Sequence, residues 1–315
     1  MIRPFVEKMK ARLLAANVSS SRREKIKLLL KETRKIWKRY KRNSNGMVGL
    51  FIVLFFVVMA LFAPLIATFS EPAALKWADV NPAYAPPSLE FLFGTDFYGR
   101  DVFSLTVFGS RPSLIVGILA SLISMILGTA VGLVAGYLGK MTDEILMRIT
   151  DFFLVLPWFP LMIVFASLMG PSFTNIIIII GITSWPWTTR IIRAEVLSVK
   201  EKPFIERARG IGAGNTRIIF RHIFPNVFPL VAANTVFLVA NSIFSESFLD
   251  FFGLSDPSMV SWGTMLEQAY AKGAFSSFAW WYILAPSACI ILLVVAFFLI
   301  GEALDEVLNP KLRKR

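Results

Sequence analysis

Three features of the sequence predict an all-α polytopic membrane protein with six crossing helices. Of its 315 residues, 56% are hydrophobic and 29 are Phe, and the mean hydropathy is +0.63, a balance outside that of ordinary soluble domains. The apolar residues fall in runs of about the 20 residues that a helix needs to cross a bilayer. The basic residues behind the formal charge of +12 cluster between alternate runs, as expected when basic loops stay on the inner side of a membrane. A nucleic-acid binder would need a basic face on a soluble fold, and this distribution supplies none.

Taken in order, residues 1–46 form a basic segment with 15 Lys and Arg against Glu7, Glu24 and Glu32. The part from Ser21 to Tyr40 reads as an amphipathic helix on the inner lipid surface, where each basic residue gains roughly 1 kcal/mol from anionic lipid. An added contact with a partner protein is the alternative. Residues 47–315 form the transmembrane domain. Its first span, about 47–69, is free of charge, with Pro64 near the outer end. A proline-rich outer loop follows, in which Asp96, Arg100 and Asp101 are placed to pair locally or to meet an external protein. The second span, about 113–138, carries Gly128, Gly132 and Gly136 at the spacing that lets helices approach closely. The third, about 145–169, holds Pro157 and Pro160 and is expected to bend. The fourth, about 175–193, returns inside at Arg190 and Arg193.

The stretch from Pro203 to Pro225 is long, basic and punctuated by glycine between two apolar runs. Pro203 suits a first helical position, and Phe204, Ala208 and Ile211 share one helix face. Gly210, Gly212 and Gly214 each weaken a helix by roughly 1 kcal/mol relative to alanine, which predicts a helix end, a turn at Asn215 and a second helix stopped by Pro225. The fifth span, about 225–250, sets Asn234, Asn241 and Ser245 on one face with Glu246 beside it. Polar groups at that depth face either protein or a water-filled path. The sixth span is about 281–301.

Chemistry on this chain is narrowly bounded. Cys289 is the sole cysteine and His222 the sole histidine, so no disulfide, redox pair or cysteine–histidine metal cluster can be built. No stretch matches the phosphate-cradling loop of ATPases. The chain is therefore expected to be no enzyme, with no cofactor and no metal, and its energy must come from a partner or an ion gradient.

Glu206, Ala208 and Gly212, followed by Ile223-Phe224-Pro225, resemble the EAA loop of the membrane subunits of ATP-binding-cassette importers. Arg207 stands where the middle alanine is usual, and Phe224 where leucine is. Phe93 to Gly117, Ser245 to Leu254 with Ser261-Trp262-Gly263, and the tail Gly301 to Asp305 with Asn309 to Arg313 resemble the dipeptide, oligopeptide and nickel branch, specifically its C-type permease. The resemblance runs from about Asn45 to Arg313.

It implies the type I importer permease fold, with the loop between spans four and five acting as a cytoplasmic coupling helix. Phe204, Glu206, Ala208, Gly210, Ile211 and Gly212 would then meet an ATPase. Asn234, Asn241, Ser245 and Glu246 would line the path or gate, and Asp96, Arg100 and Asp101 would meet the binding protein. The implied partners are a homologous second permease, two ABC ATPases carrying ATP and Mg, an external substrate-binding protein and membrane lipid, with no nucleic acid. Both termini would be cytoplasmic in a multi-pass protein of the cell membrane. Peptide is the expected substrate, with oligosaccharide or a nickel chelate as alternatives. A channel or gradient-driven carrier is the competing class; carriers show inverted repeats and midplane ionisable residues, and neither is evident here. A structural anchor would not need the polar face of the fifth span.

Overall fold

The computed structural model describes residues 34–68 and 82–308. The basic stretch 1–33, the part of the expected outer loop that includes Pro72 and Lys76, and the tail from Asn309 lie outside the described residues. Among the described residues no strand forms, and one isolated bridge joins Thr95 to Asp101.

Residues 34–40 are helical. Helix α1, Ser44–Leu61, starts where the Asn43 side chain accepts the Gly46 N–H at 2.8 Å. The first apolar run does not continue as one helix to Phe69. It breaks at Phe62, and a short α2, Ala63–Ile66, begins with Pro64 in its first turn, where a missing N–H costs nothing.

Helix α3, Val102–Leu138, is 37 residues long and starts well before the expected Ser113. Arg111 and Pro112 look like a boundary in the sequence but lie inside the helix. The Arg111 Nε donates to the Ala60 carbonyl at 2.6 Å, covering a backbone acceptor left free at the end of α1. The expected third span is two helices, α4 (Lys140–Val155) and α5 (Trp158–Met169), set at 90°. Pro157 caps α5 and Pro160 sits in its first turn, so neither needs an amide partner and the bend becomes a right-angled break.

Helix α6, Phe173–Lys200, occupies the expected fourth span. It has the length to cross a membrane but carries Thr183, Ser184, Thr188 and Thr189, all buried. Among the described residues, four stretches are both long and apolar enough to cross, namely Ser44–Leu61, Val102–Leu138, Asn215–Phe251 and Trp280–Leu308, and the α4–α5 pair makes a fifth if it counts as one span. The polarity of α6 is used inside the bundle. Thr189 donates to the Gly128 carbonyl at 3.2 Å, and Asn234 donates to Thr188 at 3.2 Å.

The most extensive packing is between α3 and α6. Gly128, Gly132 and Gly136 form the seam, as their spacing predicts. A Cβ added at Gly132 would lie 2.9 Å from both Ile192 Cβ and the Thr189 carbonyl oxygen. Arg193 forms a double hydrogen bond with Asp143 at 2.6 and 2.7 Å, and Arg190 meets Asp151 at 2.5 Å, tying α4 to α6.

The segment after α6 comprises α7 (Pro203–Gly210), a turn, α8 (Asn215–Ile218), a π turn (Ile219–Ile223) and α9 (Phe224–Phe251). The turn lies at residues 211–214, and Asn215 opens the next helix. Pro225 does not stop that helix: Asn215–Phe251 runs on as one 37-residue unit. The wider π turn stands immediately before Phe224, with Pro225 in the first turn of α9, where a missing donor is tolerated. Helices α10 (Trp262–Ala271) and α11 (Trp280–Leu308) complete the bundle, α11 packing on α1 and α9.

Candidate functional site

Two polar regions stand at opposite ends of α9, whose 28 residues span about 40 Å at 1.5 Å per residue.

At the first end, α7 turns Ile205 and Ala208 inward, onto a cluster that includes Ile192, Val196, Ile218 and Ile223. The inner face is thus Ile205 and Ala208. Phe204 is half-buried beside the cluster, while Ile211 falls beyond the helix end and is 87% exposed. Glu206 and Gly210 are exposed on the outer side.

The helix ends in a Schellman pattern. The Gly212 N–H donates to the Arg209 carbonyl at 2.9 Å, and the Ala213 N–H to the Ala208 carbonyl at 3.0 Å. Gly212 holds φ +81°, the left-handed geometry this motif needs. Tyr137 at the end of α3 pins the segment. Its hydroxyl donates to the Asn215 side chain at 3.0 Å, and Arg209 and Lys200 lie over its ring at 5.4 and 5.9 Å. Nothing in the sequence marked Tyr137, because the contact joins residues far apart in the chain.

The other end gathers acids and hydroxyls. Glu246 is buried and accepts from Ser113 Oγ at 3.1 Å to each carboxyl oxygen and from Ser247 Oγ at 3.1 Å. Asp250, one turn on, accepts from Ser261 Oγ. Ser261 also opens α10 in a reciprocal cap with Thr264. Trp262 is buried and donates to the Thr106 carbonyl at 2.8 Å, and Gly263 lies so close to α9 that a Cβ there would meet Asp250 Cβ at 2.5 Å. Ser261-Trp262-Gly263 is therefore locked against the ends of α3 and α9.

The polar face expected along α9 is not uniform. Ser245 and Glu246 are buried, Asn234 is half-buried against α6, and Asn241 is exposed. Ser113, Asp250 and Ser261 complete the cluster. The Ser-x-x-Thr cap spacing at Ser261 was a local signal for the start of α10. The partnership of Ser113 with Glu246 had no local signal.

Beside this cluster, Arg100 pairs with Asp96 at 2.5 Å, the two side chains being 5% and 0% exposed. The same nitrogen, Nη2, donates to Gln268 Oε1 at 2.5 Å, while Nε donates to Asp96 at 2.6 Å. Asp101 is buried and caps α3 by accepting the Ser104 N–H at 2.9 Å. All three residues therefore frame the loop at residues 82–101 from within, and the exposed apolar side chains nearby include Leu89, Leu92, Phe93 and Phe97. Tyr84 in this loop is held above the usual tyrosine range, first by burial and then by the Asp96 carboxylate.

Removing one member of a buried pair strands the other charge, at a cost of about 3–5 kcal/mol. Asp96→Ala should accordingly lower the thermal unfolding midpoint of the detergent-purified protein by several degrees. A midpoint equal to that of the wild type would show that Arg100 is not desolvated.

The sequence matches the family described as binding-protein-dependent transport system inner membrane component over residues 128–314, and the N-terminal TM domain of oligopeptide transport permease C over residues 32–87. It is 37% identical over 286 residues to the dipeptide transport system permease protein DppC of Bacillus subtilis, covering 90% of this chain and 88% of that protein. It is 32% identical over 289 residues to the oligopeptide transport system permease protein OppC of the same organism, covering 90% and 92%. A solved structure of the MetNI methionine ABC transporter in inward-facing conformations shares the fold at TM-score 0.52 and 18% identity, covering 65% of this chain and 95% of that one. The members of this family are membrane permease subunits and not enzymes, ATP hydrolysis being carried by separate subunits. With a type I importer fold and close peptide-permease relatives, the chain belongs to the binding-protein-dependent transport family of inner membrane components, in its dipeptide and oligopeptide C-type branch.

Proposed function

We propose that this chain is one of two homologous permease subunits of an ATP-driven importer of dipeptides or oligopeptides. It crosses the membrane six times, with α6 as the polar fourth span and α4–α5 as the broken third, and keeps both ends in the cytoplasm. Two ABC ATPases carry ATP and Mg beneath it, and an external binding protein delivers substrate to the far side. Phe204, Glu206, Ala208, Gly210, Ile211 and Gly212 act together as the coupling element. Glu246 and Ser245, with Ser261 and Asp250, form the outer gate, and Asn234 and Asn241 face the path. Asp96, Arg100 and Asp101 hold the loop on which the binding protein rests.

The observation that carries this reading is the arrangement at Ile211. A large apolar side chain stands 87% exposed on a basic, well-capped segment that joins directly to the 37-residue helix Asn215–Phe251. Exposed apolar groups within a polar rim suit a protein partner better than water. Purification of the tagged chain from its native host in mild detergent should bring down a second permease and ATPases with phosphate-binding loops. Uptake should stop on ATP depletion and survive collapse of the proton and sodium gradients. Purification as a lone homo-oligomer, with uptake that dies with the gradient, would overturn the reading.

A further inference from the structure

We infer that the ATPase surface receiving this segment is acidic, presenting carboxylates around an apolar side chain. The inference rests on the docking reading above. Between α7 and the π turn lies a groove of about 490 Å³ lined by Phe204, Ala208, Ile211, Arg207, Arg217 and Arg221, among others. Ala208, Gly212 and Ala213 contribute little side-chain bulk, so the groove admits a side chain from outside. Its cationic wall is uncompensated: Arg217 and Arg221, one helical turn apart, form no ion pair among the described residues, and Arg207 reaches only its own Pro203 carbonyl at 3.4 Å. Glu206 is the one acid between Pro203 and Phe224.

In water these guanidinium groups are solvated without penalty. Once a partner covers the groove they are desolvated together, and a neutral or basic cover leaves buried cations unpaired, which is strongly unfavourable. The cover must therefore supply carboxylates, together with an apolar group against Phe204 and Ile211. Anionic lipid headgroups would satisfy the charges but not the exposed Ile211.

The test uses the whole transporter in detergent. Because Arg217 and Arg221 are exposed, the double variant Arg217→Glu/Arg221→Glu should fold and reach the membrane, which monodisperse elution checks. It is expected to retain ATPase subunits at least about tenfold less well than wild type, since like charges meet across the interface. Wild-type retention should fall as salt rises, and an Asp or Glu to Lys change in the ATPase, selected as a suppressor, should restore the double variant. Ile211→Asp serves as the reference. If Ile211→Asp detaches the ATPase while the double variant keeps it at every salt concentration, the acidic partner is wrong and docking stands. If neither detaches it, the docking reading falls as well. A double variant that keeps its ATPases but no longer binds vesicles containing phosphatidylglycerol would assign the groove to lipid and overturn the inference.

Discussion

Gly212→Leu is expected to abolish uptake while leaving the amount of protein in the membrane unchanged. The reason is conformational rather than steric. A Cβ at Gly212 meets nothing within 4 Å, but the residue holds φ +81°, which costs an ordinary side chain roughly 1–2 kcal/mol. The strain would loosen the two hydrogen bonds that end α7 and displace Ile211, the residue beside it. The rest of the bundle does not depend on this turn. Two companion variants separate strain from simple bulk. Gly212→Asn should keep most of the activity, because Asn visits the left-handed region. Gly210→Ala should leave α7 folded and slightly stabilised, since Gly210 is helical with open space around it and alanine favours a helix by about 1 kcal/mol, so any uptake it loses is added bulk at the docking surface and not strain. Vesicle uptake of labelled dipeptide, normalised to immunoblotted protein, is the measurement, and unchanged uptake in Gly212→Leu would remove the coupling role from this turn.

The second large effect is expected at the α3–α6 seam, where Gly132→Leu should remove most folded protein. The added Cβ alone comes within 2.9 Å of the Thr189 carbonyl oxygen and 3.1 Å of the Arg193 amide nitrogen. Those atoms are backbone and cannot rotate away. Overpacking a core costs typically 1–3 kcal/mol, and here relief requires moving one long helix relative to another. Gly117 is the informative contrast. A Cβ there meets Ile243 Cγ1 at 2.5 Å and Ile243 Cδ1 at 3.1 Å, both side-chain atoms rather than backbone. Gly117→Ala should therefore lower the thermal unfolding midpoint less than Gly132→Leu does, and Ile243→Ala should cost less in the Gly117→Ala background than alone, whereas no single truncation on α6 should rescue Gly132→Leu. Midpoints measured in detergent on the four variants test the contrast. Normal yield and midpoint for Gly132→Leu would mean that α3 and α6 do not pack as described.

These two positions show which parts of the molecule were legible in the sequence. The glycines at 128, 132 and 136 repeat every fourth residue, and a period is local information, so the seam could be anticipated without knowing its partner helix. Pro203 and Gly212 are likewise local signals for where a helix starts and ends, and they bracketed α7 and its turn well. Pro225 misled because a proline's effect depends on what precedes it, and the π turn was invisible to a pattern of apolar residues. The start of α3 was hidden because Arg111, a boundary mark by charge, spends its guanidinium on a carbonyl of another helix. The acid and hydroxyl cluster was half visible. Glu246 and Ser245 stand out on an apolar helix, but Ser113 and Ser261 are brought to them only by tertiary packing. The break at Pro157 was expected as a bend, and its right angle depends on Leu156 leaving the helical conformation, which propensity alone does not set.

The π turn at Ile219–Ile223 also fixes an angular relation. A helix advances about 100° per residue, and a π turn holds one surplus residue in its ladder. The docking segment is thus indexed to the long helix Asn215–Phe251 by that single residue. Were the surplus lost and the turn to become α-helical, the helix would stay continuous and nearly the same length, yet everything before it would rotate by about 100°. Ile211 would then face a different quarter of the compass, and Ile205 and Ala208 would lose their place beside Ile223 and Val227. The chain thereby separates two quantities that a straight helix ties together, how far its end reaches and in which direction that end looks.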